Sequence, residues 1–402
     1  MPKPSLRQLP FEVWALVAGG FVIALGYGVV APVLPQFARE FNVSFTAASA
    51  IVSAFALMRL IFAPAAGWLV GKVGERQTYI VGLLIVAVST GACALAVNYP
   101  QLLILRSLGG IGSTMFSIAA TGLLIKVSPV WARGRVASVN AAGFLLGNLV
   151  GPVLGALVAG WGLRAPFVLY FITLVIAAIV VGFSLRNSVH VQPGSGKDQP
   201  PGRTLREALG LSQYRAVLLS GFAHGWASFG VRVSVIPLFV VAVLGESASA
   251  AGWTLAAYAA GNALFIFPSG RWNDSVGRKP MILIGLLLAG LSFAVLPLAT
   301  ALWSAALIVA VAGVGTALSN PGQQAVLADV VGRRGRSGQV VASYQMVTDL
   351  GAVLGPVLAG LLVDGLGFGW GFGVTSAILF LAAAVWVFTP DSRQLAEAEA
   401  RD

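Results

Sequence analysis

Stretches of about twenty apolar residues recur along the whole chain, the length a helix needs to cross a hydrocarbon layer roughly 30 Å thick. The expected spans are 13–35, 44–66, 78–97, 101–125, 137–160, 165–185, 215–244, 250–269, 280–299, 303–328, 339–363 and 369–389. They number twelve, and the connections are short except at 186–214. Of the 402 residues, 57% are hydrophobic and 10% charged. A water-soluble protein could not cover that much apolar surface with so few charges. The expected fold is therefore an all-α membrane protein of twelve transmembrane helices.

The net charge of +11 raises the question of nucleic acid, and its distribution answers it. With both termini placed in the cytoplasm, every basic residue but five falls in a cytoplasmic segment. Arg39 and Arg164 lie outside, and Arg59, Arg106 and Arg232 lie within spans. That asymmetry follows the positive-inside rule. It predicts a multi-pass protein of the cell (inner) membrane, in contact with membrane lipids and with no nucleic-acid partner. The opening MPKPSLRQLPFEVWALVAGG has a basic tip and runs on to full spanning length without a small-residue cleavage site, so it reads as the first helix. Cys93 is the only cysteine, which excludes a disulfide within the chain.

The chain repeats itself at about 203 residues. Gly67-Trp-Leu-Val-Gly71-Lys72-Val-Gly74-Glu75-Arg76 follows the second span, and Gly270-Arg-Trp-Asn-Asp274-Ser-Val-Gly277-Arg278-Lys279 follows the eighth. Gly151-Pro152 returns as Gly355-Pro356. Gly28 and Pro35-Gln-Phe37 return as Gly230 and Pro237-Leu-Phe239. The expected organisation is a six-helix bundle at 1–185, a linker at 186–214 and a second six-helix bundle at 215–402. The linker is rich in Pro, Gly, Ser and charge and reads as a flexible cytoplasmic tether. Its Gly194-Ser-Gly-Lys197-Asp198 lacks the spacing and the hydroxyl residue of a phosphate-binding loop.

These motifs, over nearly the whole chain, resemble the major facilitator superfamily, and within it the twelve-span drug:proton antiporters. Gly67, Lys72, Gly74 and Arg76 match the family's gate-loop signature, with Gly71 where an aspartate belongs and Glu75 in place of a basic residue. The second copy, Gly270, Asp274, Gly277, Arg278 and Lys279, is better preserved. Glycines in such a turn are expected to let it approach neighbouring helix ends. In the fifth span Gly143, Gly147, Gly151, Pro152 and Gly155 are similar to the family's antiporter helix. Small residues at every fourth position leave one smooth face for close packing. Leu105-Arg106 with Gly109, Gly110 and Gly112 resembles the family's arginine motif of helix four, snorkelling to the outer surface being the alternative for Arg106.

An ionisable side chain inside a membrane is expensive and marks function by default. Here the set is Arg59, Arg106, His224, Arg232 and Asp349. Asp349 is the only carboxylate well inside an expected span. The resemblance makes spans two and eleven neighbours, so Arg59 and Asp349 are expected to pair between the halves, either as a switch for proton affinity or as a static salt bridge. His224 and Arg232 flank Gly225-Trp226-Ala-Ser228-Phe-Gly230, where glycines point to bending or unwinding around a cavity. Expected cavity residues are Tyr27, Trp226, Asn140, Asn148, Tyr258, Asn262, Asn320, Gln323, Tyr344 and Gln345. With no acidic residue in the first span beyond Glu12, cationic substrates find few partners, and neutral or anionic ones fit better.

The function the resemblance implies is secondary active transport by alternating access: proton-coupled efflux of lipophilic drugs or other amphipathic small molecules by a functional monomer. Export of sugars, siderophores or lipids is the alternative within the superfamily. An intramembrane enzyme finds no support, since HExxH, GxSxG and clustered carboxylates are absent and the two histidines, His190 and His224, are far apart. No cofactor or metal is expected; protons are the expected coupling ion.

Overall fold

The computed structural model describes residues 9–127, 133–185, 204–331 and 338–392. Among these residues the structure is helical, with twelve helices or helical runs long and apolar enough to cross a membrane. Two compact units comprise Met1–Asn42 with Ala54–Ser195, and Val43–Ser53 with Gly196–Asp402. The first turns of the second span thus belong with the second unit.

In the first unit the helices are α1 Phe11–Val30, α2 Leu34–Arg39, α3 Phe45–Val73 (from Ala54 on), α4 Glu75–Cys93, α5 Tyr99–Val127, α6 Arg133–Ala159 and α7 Ala165–Ser184. The expected first span, 13–35, is broken after Val30. Pro32 and Pro35 both lack an N–H, and the chain restarts as α2 with Pro35 in its first turn. The freed Pro32 carbonyl accepts from Gln36 Nε2 at 2.9 Å.

Three glycines of α6 lie hard against the backbone of α1. A Cβ on Gly147 would stand 2.5 Å from the Phe21 carbonyl oxygen, one on Gly151 2.5 Å from that of Leu25, and one on Gly155 2.6 Å from that of Val29. Gly28 of α1 meets Pro152 Cδ at 2.9 Å on the same terms. Helices α1 and α6 therefore touch backbone to backbone, the arrangement small-residue stripes allow in membranes. Where α4 crosses α5, a Cβ on Gly82 would lie 2.7 Å from the Gly112 carbonyl, and one on Gly112 2.6 Å from that of Gly82.

The second unit holds α8 Leu205–Gly210, α9 Ser212–His224, a π-helical segment Gly225–Val231, α10 Arg232–Ala242, α11 Ala248–Ser275, α12 Arg278–Val295, α13 Leu302–Val331, α14 Gly338–Leu366 and α15 Phe368–Val387. The repeat is visible as contacts: a Cβ on Gly285 of α12 would meet the Gly315 carbonyl of α13, and one on Gly315 the Gly285 carbonyl, these glycines lying 203 residues after Gly82 and Gly112. Pro237 sits inside α10 without a break, because the position matching Pro32 is Ser234, which keeps its N–H. Aromatic rings fill this unit's core, with Phe239, Phe293 and Phe368 around Phe372 at centroid distances of 5.5, 6.2 and 6.3 Å.

Linker residues 186–203, including His190, Lys197 and Asp198, lie outside the described residues. The rest of the expected tether is ordered. Thr204 and Glu207 close a capping box, Glu207 N–H donating to Thr204 Oγ1 at 3.3 Å and Thr204 N–H to Glu207 at 3.0 Å, and this starts α8. The Thr-x-x-Glu signal was present in the sequence, masked by the surrounding Pro and Gly. Cys93 is buried and free.

Candidate functional site

The seventh span neither unwinds nor simply bends. Its helix widens to a π turn over Gly225–Val231, between α9 and α10. The Arg232 N–H reaches back five residues to the Ala227 carbonyl, and Arg232 Nε takes the Ser228 carbonyl at 2.8 Å. The bulge is seated by α14: a Cβ on Gly225 would strike the Thr348 carbonyl, and one on Gly230 would stand 2.9 Å from Pro356 Cδ. Glycine at these two positions is what lets the widened turn lie against α14. Such π turns occur preferentially at functional sites.

Three hydroxyls converge inside the bulge. Tyr258 Oη of α11 lies 3.0 Å from Ser228 Oγ and 2.7 Å from Thr316 Oγ1 of α13, and these two are 3.4 Å apart. The Arg232 guanidinium lies over the Tyr258 ring, its Cζ 4.2 Å from the centroid. Tyr258 thus serves both contacts, its hydroxyl in the network with Ser228 and its ring under the Arg232 cation. His224 is buried and stands edge-on to Phe229 at 5.2 Å.

Other expected cavity residues divide by what they touch. Trp226 is a core residue, 3% exposed, with its indole N–H donated to Thr375 Oγ1 at 3.0 Å. A buried indole takes a partner wherever it can, and α15 supplies one. Asn262 Nδ2 donates to the Gly313 carbonyl at 3.3 Å, so it ties α11 to α13. Asn320 is half-buried. Gln323 is 1% exposed; its Oε1 accepts from the buried Tyr344 hydroxyl at 3.3 Å, while its Nε2 has no hydrogen-bond partner. Gln324 Nε2 lies 3.5 Å from the same hydroxyl. Next to Tyr344 on α14, the exposed Gln345 donates to Asp349 Oδ1 one turn on at 3.1 Å, and Asp349 itself is half-buried.

In the first unit, Arg106 does not snorkel. It is 4% exposed, its Cζ lies 4.1 Å from the Phe55 ring centroid, and its Nε has no hydrogen-bond partner. Tyr27, half-buried, reaches the same Phe55 ring at 6.4 Å. Arg59 is half-buried on α3, where its carbonyl accepts from Thr114 Oγ1 at 3.0 Å. Asn148 is exposed and folds back on the Phe144 carbonyl at 3.0 Å; the Asn140 amide sits beside Gly20.

The gate loops need a correction. Gly67, Gly71 and Gly270 make no close approach: a Cβ at any of them would meet nothing within 4 Å. The glycines that matter are Gly74 and Gly277, whose φ of 90° and 127° L side chains rarely adopt. The first loop is held by Arg76, which donates to the Gly182 carbonyl at 3.0 Å, while Lys72 lies 4.8 Å over Trp68. The Asp274 side chain lies outside the described residues. The second loop is locked by other acids: Arg278 pairs with Asp329 and donates to the Ala325 carbonyl at 2.9 Å, and Asp391 accepts from the Lys279 N–H at 3.1 Å. Lys279 Nζ donates to the Val387 carbonyl at 2.8 Å.

Asp329 and Asp391 were not among the residues the sequence singled out, nor was Asp364. Helices α13 and α14 run past the expected spans, so Asp329 and Asp364 are helical rather than in loops. Asp364 caps the start of α3, accepting from the Phe45 N–H at 2.9 Å and from the N–H and hydroxyl of Thr46 at 2.7 and 2.5 Å. No local pattern announces a cap supplied from 318 residues away.

The family model described as Major Facilitator Superfamily matches residues 16–247 and 217–402. The chain is 25% identical to Multidrug resistance protein 2 of Bacillus subtilis (strain 168) over 385 residues, covering 90% of this chain and 91% of that one. It is 26% identical to the Quinolone resistance protein NorA of Staphylococcus aureus over 357 residues, covering 88% and 90%. Among solved structures it is similar to an inward-facing, unoccupied bacterial homolog of the human lysosomal transporter Spinster, with a TM-score of 0.79 at 19% identity over 97% of this chain and 98% of that one. It is also similar to a D-xylose-proton symporter, with a TM-score of 0.74 at 18% identity over 95% and 99%. A glycine-striped fifth span, two repeated turns and twelve spans agree with matches that run through both halves, and this chain belongs to the Major Facilitator Superfamily, as a multi-pass membrane transporter of small molecules and not an enzyme.

Proposed function

We propose that this transporter exports lipophilic or amphipathic small molecules from the cell in exchange for protons, working by alternating access. It acts as a monomer in the cell membrane with both termini in the cytoplasm. The relatives over about nine-tenths of the chain are named for multidrug and quinolone resistance, which supports export of such compounds. The observation that carries the coupling is Asp349. It lies eleven residues into α14, about 16 Å along the helix axis, half-buried and hydrogen-bonded by Gln345. A carboxylate at that depth is costly unless it serves the transport cycle, and a group half open to its surroundings can gain and lose a proton.

The test is exchange in reconstituted vesicles. Asp349→Asn is expected to abolish uptake driven by an imposed pH gradient while leaving counterflow of labelled substrate intact; undiminished gradient-driven exchange sinks the coupling role. The Arg59–Asp349 pairing belongs to the same proposal, and an Arg59→Gln variant whose pH profile matches the wild type removes Arg59 from it.

A further inference from the structure

We propose that Arg232 is the recognition point for an oxyanion on the substrate, so that the amphipathic compounds this protein carries include lipophilic carboxylates, phosphates or sulfonates. This inference rests on the reading of the chain as an exporter of amphipathic molecules and names the substrate class.

The α9–π–α10 run spans Ser212–Ala242, and Arg232 lies ten residues from its Ala242 end, about 15 Å along the axis. A guanidinium at that depth is expensive unless a counter-charge or water compensates it. Among the described residues no carboxylate pairs with Arg232. Among the described residues its side chain makes one hydrogen bond, from Nε to the Ser228 carbonyl, and its face rests on Tyr258. These two contacts fix the plane of the guanidinium and leave both terminal nitrogens uncommitted. Two parallel N–H groups held in a fixed plane are the donor set that carboxylate and phosphate bind bidentately.

Arg106 in the first unit also lies on an aromatic ring and pairs with no carboxylate among the described residues, but it is 4% exposed and sealed in protein. Arg232 is half-buried, and its neighbour Phe229 is 43% exposed. A ligand can therefore reach Arg232 along an apolar wall, which suits a molecule with a greasy body and one anionic end. The hydroxyl network behind Tyr258 holds the ring that carries the cation, so the π turn and the arginine form one built site. Lipid headgroups present the same oxyanion, but they sit at the membrane surface, not about 15 Å along a spanning helix.

The test uses the purified full-length protein in a neutral detergent and three probes with one scaffold: 11-(dansylamino)undecanoic acid, its methyl ester, and the matching trimethylammonium compound. Binding is read by energy transfer from tryptophan to dansyl. The acid is expected to bind at least ten-fold more tightly than the ester or the cation. In Arg232→Gln that preference should collapse to within about two-fold with ester affinity unchanged, and Arg232→Lys should recover part of it. Equal binding of all three probes to the wild type overturns the proposal, and this arm needs no variant to fold. An acid preference retained by Arg232→Gln overturns it as well. Displacement of the acid by phosphatidylglycerol, but not by a free lipophilic carboxylate, would make the occupant a lipid headgroup and overturn the substrate assignment. No proton gradient enters the measurement, so a failure of proton coupling leaves its result standing.

Discussion

Tyr258 shows how one side chain serves two purposes in the seventh-span bulge. Its hydroxyl joins Ser228 and Thr316 in the interior, and its ring carries the Arg232 guanidinium. Replacing it by Phe keeps the ring and strips the network of its central hydroxyl, leaving two buried groups with only a 3.4 Å contact to each other. An unsatisfied buried hydroxyl costs about 1–3 kcal/mol. Tyr258→Phe should therefore lower the thermal midpoint of the purified protein in detergent, while Arg232-dependent binding of the acid probe survives. The titratable residues were easy to see in the sequence because charge inside an apolar stretch stands out. Their partners were not: Thr316 and Thr375 are ordinary polar residues of membrane helices until the fold brings them to Tyr258 and Trp226.

Helix pairing is decided by glycines in two different ways. On α6 they remove side chains so that α1 can come close; at Gly74 and Gly277 they permit a backbone angle. Gly151→Leu would drive a side chain into the Leu25 carbonyl and Gly28, and overpacking of this kind costs about 1–3 kcal/mol. That variant should lose folded yield and thermal stability, whereas Gly67→Ala should leave both unchanged because its Cβ meets nothing. The start of α3 gives a third test. Asp364 satisfies two backbone N–H groups there, and loss of a cap costs about 0.5–2 kcal/mol. Asp364→Ala should increase amide hydrogen exchange at the first turn of α3, with Asp364→Asn, which keeps one acceptor oxygen, in between. The glycine stripe was legible as a spacing. The cap was not, because donor and acceptor lie on segments that only the folded chain brings together.

For the whole molecule, an efflux-deficient host carrying this transporter should tolerate a panel of lipophilic drugs better than the empty host, and a protonophore should erase the difference. Resistance that persists with the protonophore points to another energy source. Twelve spans, two halves and the family followed from the linear chain alone, since lipid demands apolar helices of one length and a duplicated gene leaves landmarks at a fixed period. The lengths of α13 and α14 did not follow, because a helix continues into water while its backbone bonds and caps are satisfied, whatever the hydropathy. Nor did the contacts of the second turn, where Arg278 pairs with Asp329 and the Lys279 N–H donates to Asp391. The seventh-span bulge is the clearest division. Its glycines are written in the sequence, yet a π turn costs hydrogen-bond geometry and persists only where packing supports it. That support comes from Thr348 and Pro356 of α14, more than a hundred residues away, and only the folded structure could supply it.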